Sequence, residues 1–106
     1  MRTTLHQLEA TIRQRRNADP ASSYVAKLAH RGRAKIAQKV GEEAVETVIA
    51  AMAGDRAEIV GESADLLFHM LMLLADMDVP LDAVLDELER REGVSGIAEK
   101  AARPKD

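Results

Sequence analysis

The sequence contains no cysteine and almost no aromatic residues. Its 106 residues include one tyrosine, one phenylalanine and no tryptophan, so aromatic residues make up 2% of the chain. Without cysteine, neither a disulfide framework nor a zinc site with thiolate ligands is possible. Hydrophobic residues still make up 46% of the chain. They are aliphatic residues and methionine, which favour packed helices over a β-sandwich.

The sequence also lacks a strong excess of charge and a long apolar run. The formal net charge of −3 is not the basic excess that is typical of nucleic-acid-binding proteins. The N-terminal residues show no apolar signal segment. The longest apolar run, 66–75, is interrupted by His69 and is too short to span a bilayer. We therefore expect a cytoplasmic protein that binds neither nucleic acid nor membranes.

Sparse glycine and proline residues divide the chain into five helical segments, each with apolar residues at helical spacing. The sequence predicts a first helix capped by Thr3 or Thr4, followed by helices at Tyr24–Arg31, about 33–52, Arg56–Asp76 and about 81–91. No strand pattern and no internal repeat is present in the sequence. We expect one all-α domain over 1–106, a bundle of four to five helices with its core at about 23–93 and a tail at 94–106.

The fourth predicted helix is apolar around nearly its whole circumference, and such a helix is normally buried on all sides. A single chain of this size has few other helices with which to cover it. We therefore expect a homodimer, in which helices of a second copy complete the core.

Two carboxylate motifs stand on the third and fourth helices. The third carries E-E-x-x-E, with Glu42, Glu43 and Glu46, and the fourth carries E-x-x-D, with Glu62 and Asp65. Taken alone, the first motif is explained as well by a solvated helix face. If the two helices form an antiparallel hairpin, however, the carboxylates converge, and their repulsion calls for a hard divalent cation. Ligands that are all oxygen favour Mg²⁺, or Mn²⁺, over zinc.

We also make predictions for three further residues on or near these helices. His69 lies one turn beyond Asp65, and we expect a core histidine or one that supports the site. Gly41 interrupts the third helix, and we expect it to allow close packing of a ligand or a neighbouring helix. For Tyr24 we favour packing in the helical core over stacking on a base.

Four stretches of the sequence resemble the phosphoribosyl-ATP pyrophosphohydrolase family. They are S-Y-V-A-K-L, K-I-A-Q-K-V-G-E-E-A-V-E, E-S-A-D-L-L-F-H and L-D-E-L-E-R-R-E-G, and the resemblance extends over about 23–96. The wider group is the all-α NTP pyrophosphatases. The resemblance implies Mg²⁺-dependent hydrolysis of phosphoribosyl-ATP to phosphoribosyl-AMP and pyrophosphate, the second step of histidine biosynthesis.

The resemblance also implies roles for the five carboxylates. The metal ligands would be Glu43, Glu46, Glu62 and Asp65. Glu42 would position the attacking water or hold an additional Mg²⁺, so that Glu42, Glu43 and Glu46 form the catalytic set.

Basic residues near the first motif are candidates for binding the substrate's phosphates. Lys39 and Lys35 share a helix face with the glutamates and are suited to hold phosphates as point charges. We rank Lys27 below these two lysines, and Arg31 and Arg33 below Lys27. Surface salt bridges would explain the lysines equally well.

Two other functions remain open from the sequence. One is a house-cleaning pyrophosphatase of the same group, which would act on a free or modified dNTP. The other is a non-catalytic helical dimerisation module, which would leave the opposed carboxylates unexplained.

Overall fold

The structure is a computed structural model that describes residues 3–92, and these residues form five α-helices and no strand. The helices are α1 (Thr4–Arg15), α2 (Tyr24–Arg31), α3 (Arg33–Ala53), α4 (Arg56–Asp76) and α5 (Leu81–Glu92). The predicted all-α class is confirmed. The bounds of α2 and α4 are those predicted, and α3 and α5 each end one residue later than expected. The predicted tail at 94–106 lies outside the described residues.

The helix ends follow the local sequence. The Ser23 side chain accepts a hydrogen bond from the Ala26 amide at the start of α2, and Asp55 accepts one from the Glu58 amide at the start of α4. Both are standard N-caps. Gly54 ends α3 in the left-handed region, with φ of 71°, a conformation that favours glycine. The two-residue connection at 54–55 folds α3 and α4 back on each other as an antiparallel hairpin.

The α3–α4 hairpin is the centre of the fold, because these two helices share the most extensive contact in the described chain. α1 packs against α4, and α2 packs against α3. The core lies where these helices meet, and its buried apolar residues are Ile12, Val25, Leu28, Ile36, Leu71, Met72, Ala75 and Leu81. α5 is tied to α1 by a hydrogen bond between His6 Nε2 and Asp82 Oδ1 at 2.7 Å.

A set of large apolar side chains on α3 and α4 remains exposed. The exposed apolar set consists of Val45, Val48, Ile49, Met52, Val60, Leu67 and Met70. Its four members on α3 recur at i, i+3, i+4 and i+7, which places them on one helix face. As expected for a single chain, part of α4 stays uncovered, because no described helix packs over it. The homodimer that was expected to cover it stays a prediction. None of the helices within residues 3–92 has the length and apolar character needed to cross a membrane.

Candidate active site

Three carboxylates meet between α3 and α4. One oxygen each of Glu43, Glu62 and Asp65 lies within 4.8 Å of the others, and we call these three residues the carboxylate cluster. The antiparallel hairpin brings them together, because it places the middle of α3 against the first half of α4. Glu43 is buried, Glu62 is half-buried and Asp65 is exposed, so the cluster opens to solvent on one side.

Two oxygens of the carboxylate cluster have no hydrogen-bond partner. Glu43 Oε2 and Glu62 Oε2 are both buried without a donor among the described residues. Such atoms are rare in folded proteins, because a buried polar group without a partner costs about 1–3 kcal/mol. A hard cation would satisfy both oxygens at once, and a set of carboxylate ligands fits Mg²⁺ or Mn²⁺. The residues present therefore fit the divalent cation that the sequence indicates.

The other two glutamates of the first motif lie outside the carboxylate cluster. Glu46 is exposed on α3, one turn beyond Glu42. Its role as a fourth ligand stays a prediction. Glu42 is also exposed and points to a neighbouring pocket, where its Oε2 accepts a hydrogen bond from Gln38 Nε2 at 3.0 Å. This hydrogen bond is the main cause that lowers the pKa of Glu42 below its usual value; partial desolvation opposes it and the charge of Lys39 adds to it.

Lys39 joins the carboxylate cluster to this pocket. Its Nζ lies 3.6 Å from Glu42 Oε1 and 3.7 Å from Glu43 Oε1. Desolvation alone would lower the pKa of Lys39, but the nearby Tyr24, Glu42 and Glu43 outweigh it and hold that pKa above its usual value. Lys39 is thus a fixed positive charge beside the cluster.

The neighbouring pocket is strongly basic. This basic pocket has a volume of about 210 Å³ and is lined by Tyr24, Lys27, Leu28, Arg31, Lys35, Lys39 and Glu42. The single glycine between α2 and α3, Gly32, has φ of 95° and lets the two helices meet at an angle. Basic side chains of both helices therefore line the same pocket. All three lysines that the sequence proposed for phosphate binding line this pocket, and so does Arg31.

A hydrogen-bonded chain connects the basic pocket to α4. His69 Nδ1 lies 2.7 Å from the Asp65 backbone oxygen, and His69 Nε2 lies 2.8 Å from the Tyr24 hydroxyl. A carbonyl only accepts, so Nδ1 carries the proton, and in the neutral ring Nε2 then accepts from Tyr24. Desolvation is the largest cause that raises the pKa of Tyr24, Lys39 opposes it, and the nearby carboxylates add to it. Tyr24 therefore keeps the proton that it donates.

The structure settles two expectations about these residues. His69 is buried and bonded to the backbone of a cluster residue, as expected for a core histidine that supports the site. The expected core packing of Tyr24 is wrong, because 49% of its surface is exposed and its hydroxyl needs a polar partner. No sequence pattern pairs Tyr24 with His69, since they lie 45 residues apart.

Two other candidates from the sequence, Gly41 and Arg33, do not have the expected surroundings. A Cβ built on Gly41 would meet nothing within 4 Å, so its expected packing against a neighbouring helix is wrong for the described part of this chain. Asp76, the last residue of α4, lies outside the carboxylate cluster, and its Oδ2 accepts a hydrogen bond from Arg33 Nε at 2.7 Å. Arg33, one of the two lowest-ranked phosphate candidates, is thus occupied by this ion pair.

The fold and the site define a class: all-α proteins in which a helical hairpin carries opposed carboxylates that fit a divalent cation, with a basic pocket beside them. A sequence model of the family described as "Phosphoribosyl-ATP pyrophosphohydrolase" matches residues 5–92. The chain belongs to the phosphoribosyl-ATP pyrophosphohydrolase family.

Similar proteins from several bacteria cover nearly the whole chain. A protein of Rhizorhabdus wittichii is 68% identical over 105 residues, which are 99% of each chain. One of Novosphingobium aromaticivorans is 68% identical over 99 residues, covering 93% of this chain and 92% of its own. One of Azospirillum brasilense is 61% identical over 99 residues, covering 93% of this chain and 89% of its own. Each is named phosphoribosyl-ATP pyrophosphatase.

Proposed function

We propose that this protein hydrolyses phosphoribosyl-ATP to phosphoribosyl-AMP and pyrophosphate with Mg²⁺ as cofactor, the second step of histidine biosynthesis. Membership of the family and the names of relatives at 56–68% identity support this activity. The structural observation that carries it is the carboxylate cluster, with two orphaned buried oxygens, directly beside a basic pocket. A role in histidine biosynthesis agrees with the cytoplasmic location expected from the sequence.

The carboxylate cluster would hold the cation, with Glu46 as a fourth ligand. Glu46 follows Glu43 by three residues, about one turn of α3, and is exposed. When bound, Mg²⁺ supplies positive charge that polarises the phosphoryl oxygens and offsets the charge that develops in the transition state. Mn²⁺ offers the same oxygen coordination and is an alternative cofactor.

The remaining residues of the site would orient the substrate and the nucleophile. Glu42 is held by Gln38 and Lys39 at the border between the cluster and the basic pocket. We assign it to accept a hydrogen bond from the water that attacks the triphosphate. The oxygen of that water adds to the α or the β phosphorus, and the bond from this phosphorus to the bridging oxygen breaks. The bridging oxygen stays on the other phosphorus, and one proton of the water passes by way of Glu42 to solvent, so that phosphoribosyl-AMP and pyrophosphate leave. Lys39, beside the carboxylate cluster, binds oxygens of the triphosphate and keeps it in line for this attack. Lys35 and Lys27 bind phosphate oxygens of the same substrate elsewhere in the basic pocket.

The active protein would be a homodimer of one-domain chains. The exposed apolar set lies on α3 and α4, the helices that carry the carboxylate cluster, and Met52 is 81% exposed. Contiguous apolar patches on soluble proteins mark sites of association. A second copy packed on this face would bury the part of α4 that its own chain leaves uncovered.

The proposed activity is tested by measuring pyrophosphate released from phosphoribosyl-ATP by the purified protein with Mg²⁺ and with excess EDTA. We expect release only with Mg²⁺. The Asp65→Asn and Glu46→Gln variants should lose at least about 100-fold in kcat/KM, since each removes a charged ligand of the cation. Both should keep the helical circular-dichroism spectrum, because both side chains are exposed.

Full activity of either variant would contradict the assigned ligands. A panel of dNTPs in the same assay separates the proposed activity from a house-cleaning pyrophosphatase, because a clear preference for a plain dNTP would refute the proposed substrate. A non-catalytic dimerisation module would release no pyrophosphate from any of these substrates.

A further inference from the structure

The basic pocket contains three cations that have no anionic partner. Lys39 is paired with glutamates, but Lys27, Arg31 and Lys35 form no ion pair or hydrogen bond with any other described side chain. An unpaired lysine on a surface is ordinary. Three unpaired cations around one cavity are unusual. Like charges repel one another, and the chain as a whole is acidic, with a net charge of −3. The pocket therefore fits an anionic ligand.

The start of α3 strengthens the positive potential of this pocket. Lys35 belongs to the first turn of α3, a turn that has no acidic residue and no side-chain cap. The positive end of the helix dipole is therefore not offset within its own helix. Glu42, the one carboxylate that lines the pocket, is already engaged by Gln38 and Lys39.

Of the three unpaired cations, Lys35 stands on α3, where its distance from the carboxylate cluster follows from the helix itself. Along α3, Lys39 precedes Glu43 by one turn and contacts it, whereas Lys35 precedes Glu43 by eight residues, about 12 Å along the helix axis. Lys27 and Arg31 stand on α2 and line the same pocket as Lys35. The α and β phosphates must bind at the cluster, where the bond between them is broken, and the γ phosphate follows one linkage later, within reach of Lys39. The triphosphate therefore leaves the distant cations unused.

We propose that Lys27, Arg31 and Lys35 form a second phosphate subsite, which binds the phosphate of the phosphoribosyl group at the opposite end of the substrate from the triphosphate. This inference rests on the proposed function and names the residues that decide substrate choice. A plain nucleoside triphosphate lacks this second phosphate, so the subsite favours phosphoribosyl-ATP over ATP. Arg31 is the main recognition residue, because its planar guanidinium forms two parallel hydrogen bonds with a phosphate. Leu28, which is buried, forms the apolar floor.

The kinetic test compares substrates with and without the phosphoribosyl group. For Arg31→Gln we expect KM for phosphoribosyl-ATP to rise about tenfold, because the variant loses one charge-assisted hydrogen-bonded contact at an exposed site. The kcat should stay within about twofold of the wild-type value. The affinity for ATP with Mg²⁺, measured by calorimetry, should not change. Lys35→Gln should give the same pattern. Arg15→Gln removes an exposed cation that does not line the pocket, and it should change neither constant. An equal loss for ATP would overturn the subsite, because the cations would then serve the triphosphate.

A metal-free binding measurement separates the subsite from the proposed activity. In EDTA, we expect the wild-type protein to bind phosphoribosyl-AMP about tenfold more tightly than AMP, and Arg31→Gln to lose this preference. Equal affinity of the wild-type protein for the two ligands would overturn the subsite even if the enzyme is active. A retained preference without any pyrophosphate release would support the subsite and contradict the proposed hydrolysis.

Discussion

Replacement of Glu43 by glutamine should make the protein more stable than the wild-type protein in EDTA. With Mg²⁺, the variant should be the less stable of the two. Glu43 and Glu62 each have a buried oxygen without a partner, and their carboxylate oxygens lie within 4.8 Å of each other. Two unit charges at 4.8 Å repel by about 3 kcal/mol at an effective dielectric constant of about 20. Lys39, which lies 3.7 Å from Glu43, and solvent on the open side offset much of this repulsion.

We therefore expect Glu43→Gln to raise the free energy of unfolding by about 1 kcal/mol in EDTA. The new amide also donates a hydrogen bond to the orphaned oxygen of Glu62. For a domain of this size, about 1 kcal/mol corresponds to a rise in Tm of about 4–8 °C. With Mg²⁺ at about 100 times its Kd, the wild-type protein should gain about 2.7 kcal/mol. The variant should gain little, because it has lost a charged ligand.

Thermal unfolding followed by circular dichroism, at one fixed protein concentration with EDTA and then with Mg²⁺, measures both effects. The order of the two Tm values should reverse between the two buffers. Glu58→Gln is the matched control, since Glu58 lies one turn before Glu62 on α4 and outside the carboxylate cluster. It should shift Tm by the same small amount in both buffers. A lower Tm of Glu43→Gln in EDTA, together with an undiminished response to Mg²⁺, would refute the reasoning.

Three further predictions follow from single positions. Gly41→Ala should raise the free energy of unfolding by about 1 kcal/mol in chemical denaturation, because alanine is the better helix former and its methyl group meets no atom within 4 Å; a loss of stability would show that a second copy approaches this residue. Val48→Lys should shift a homodimer towards monomer in sedimentation velocity, because it places a charge in the exposed apolar set; an unchanged sedimentation coefficient would contradict this interface. Glu87, whose pKa the hydrogen bonds from Arg90 and Arg91 lower to about 2 from 4.5, contributes stability above its ordinary pKa that is lost as pH falls towards 2. An NMR titration of Glu87 should give a midpoint near 2, and a midpoint near 4.5 would exclude these hydrogen bonds in solution.

The helices were predictable because their signals are local. Asp55 and Ser23 are capping residues, Gly54 ends a helix, and the apolar spacing between them has the helical period. The hairpin was predictable because only two residues join two long helices. The approach of Glu43 to the carboxylates of α4 was predictable from the hairpin. The register of the hairpin is what selects which glutamates meet. That register depends on packing between side chains far apart in the sequence, which no single helix encodes.

The parts of the site that could not be predicted all involve contacts between distant helices. Tyr24 lies at the first position of α2 and looks like one more apolar residue of that helix. Its exposure and its hydrogen bond to His69 depend on how α2 crosses α4. The basic pocket likewise arises from the angle that Gly32 sets between α2 and α3. The spacing of the basic residues along each helix is visible in the sequence, but the packing of α2 against α3 around one pocket is not.

The metal site at the carboxylate cluster is tested most directly by an anomalous difference map from crystals of the protein grown with Mn²⁺. We expect one peak bounded by carboxylate oxygens of Glu43, Glu62 and Asp65, with Glu46 turned towards it. A fully occupied Mn²⁺ peak elsewhere, with Glu43 and Glu62 still without a partner, would contradict the site.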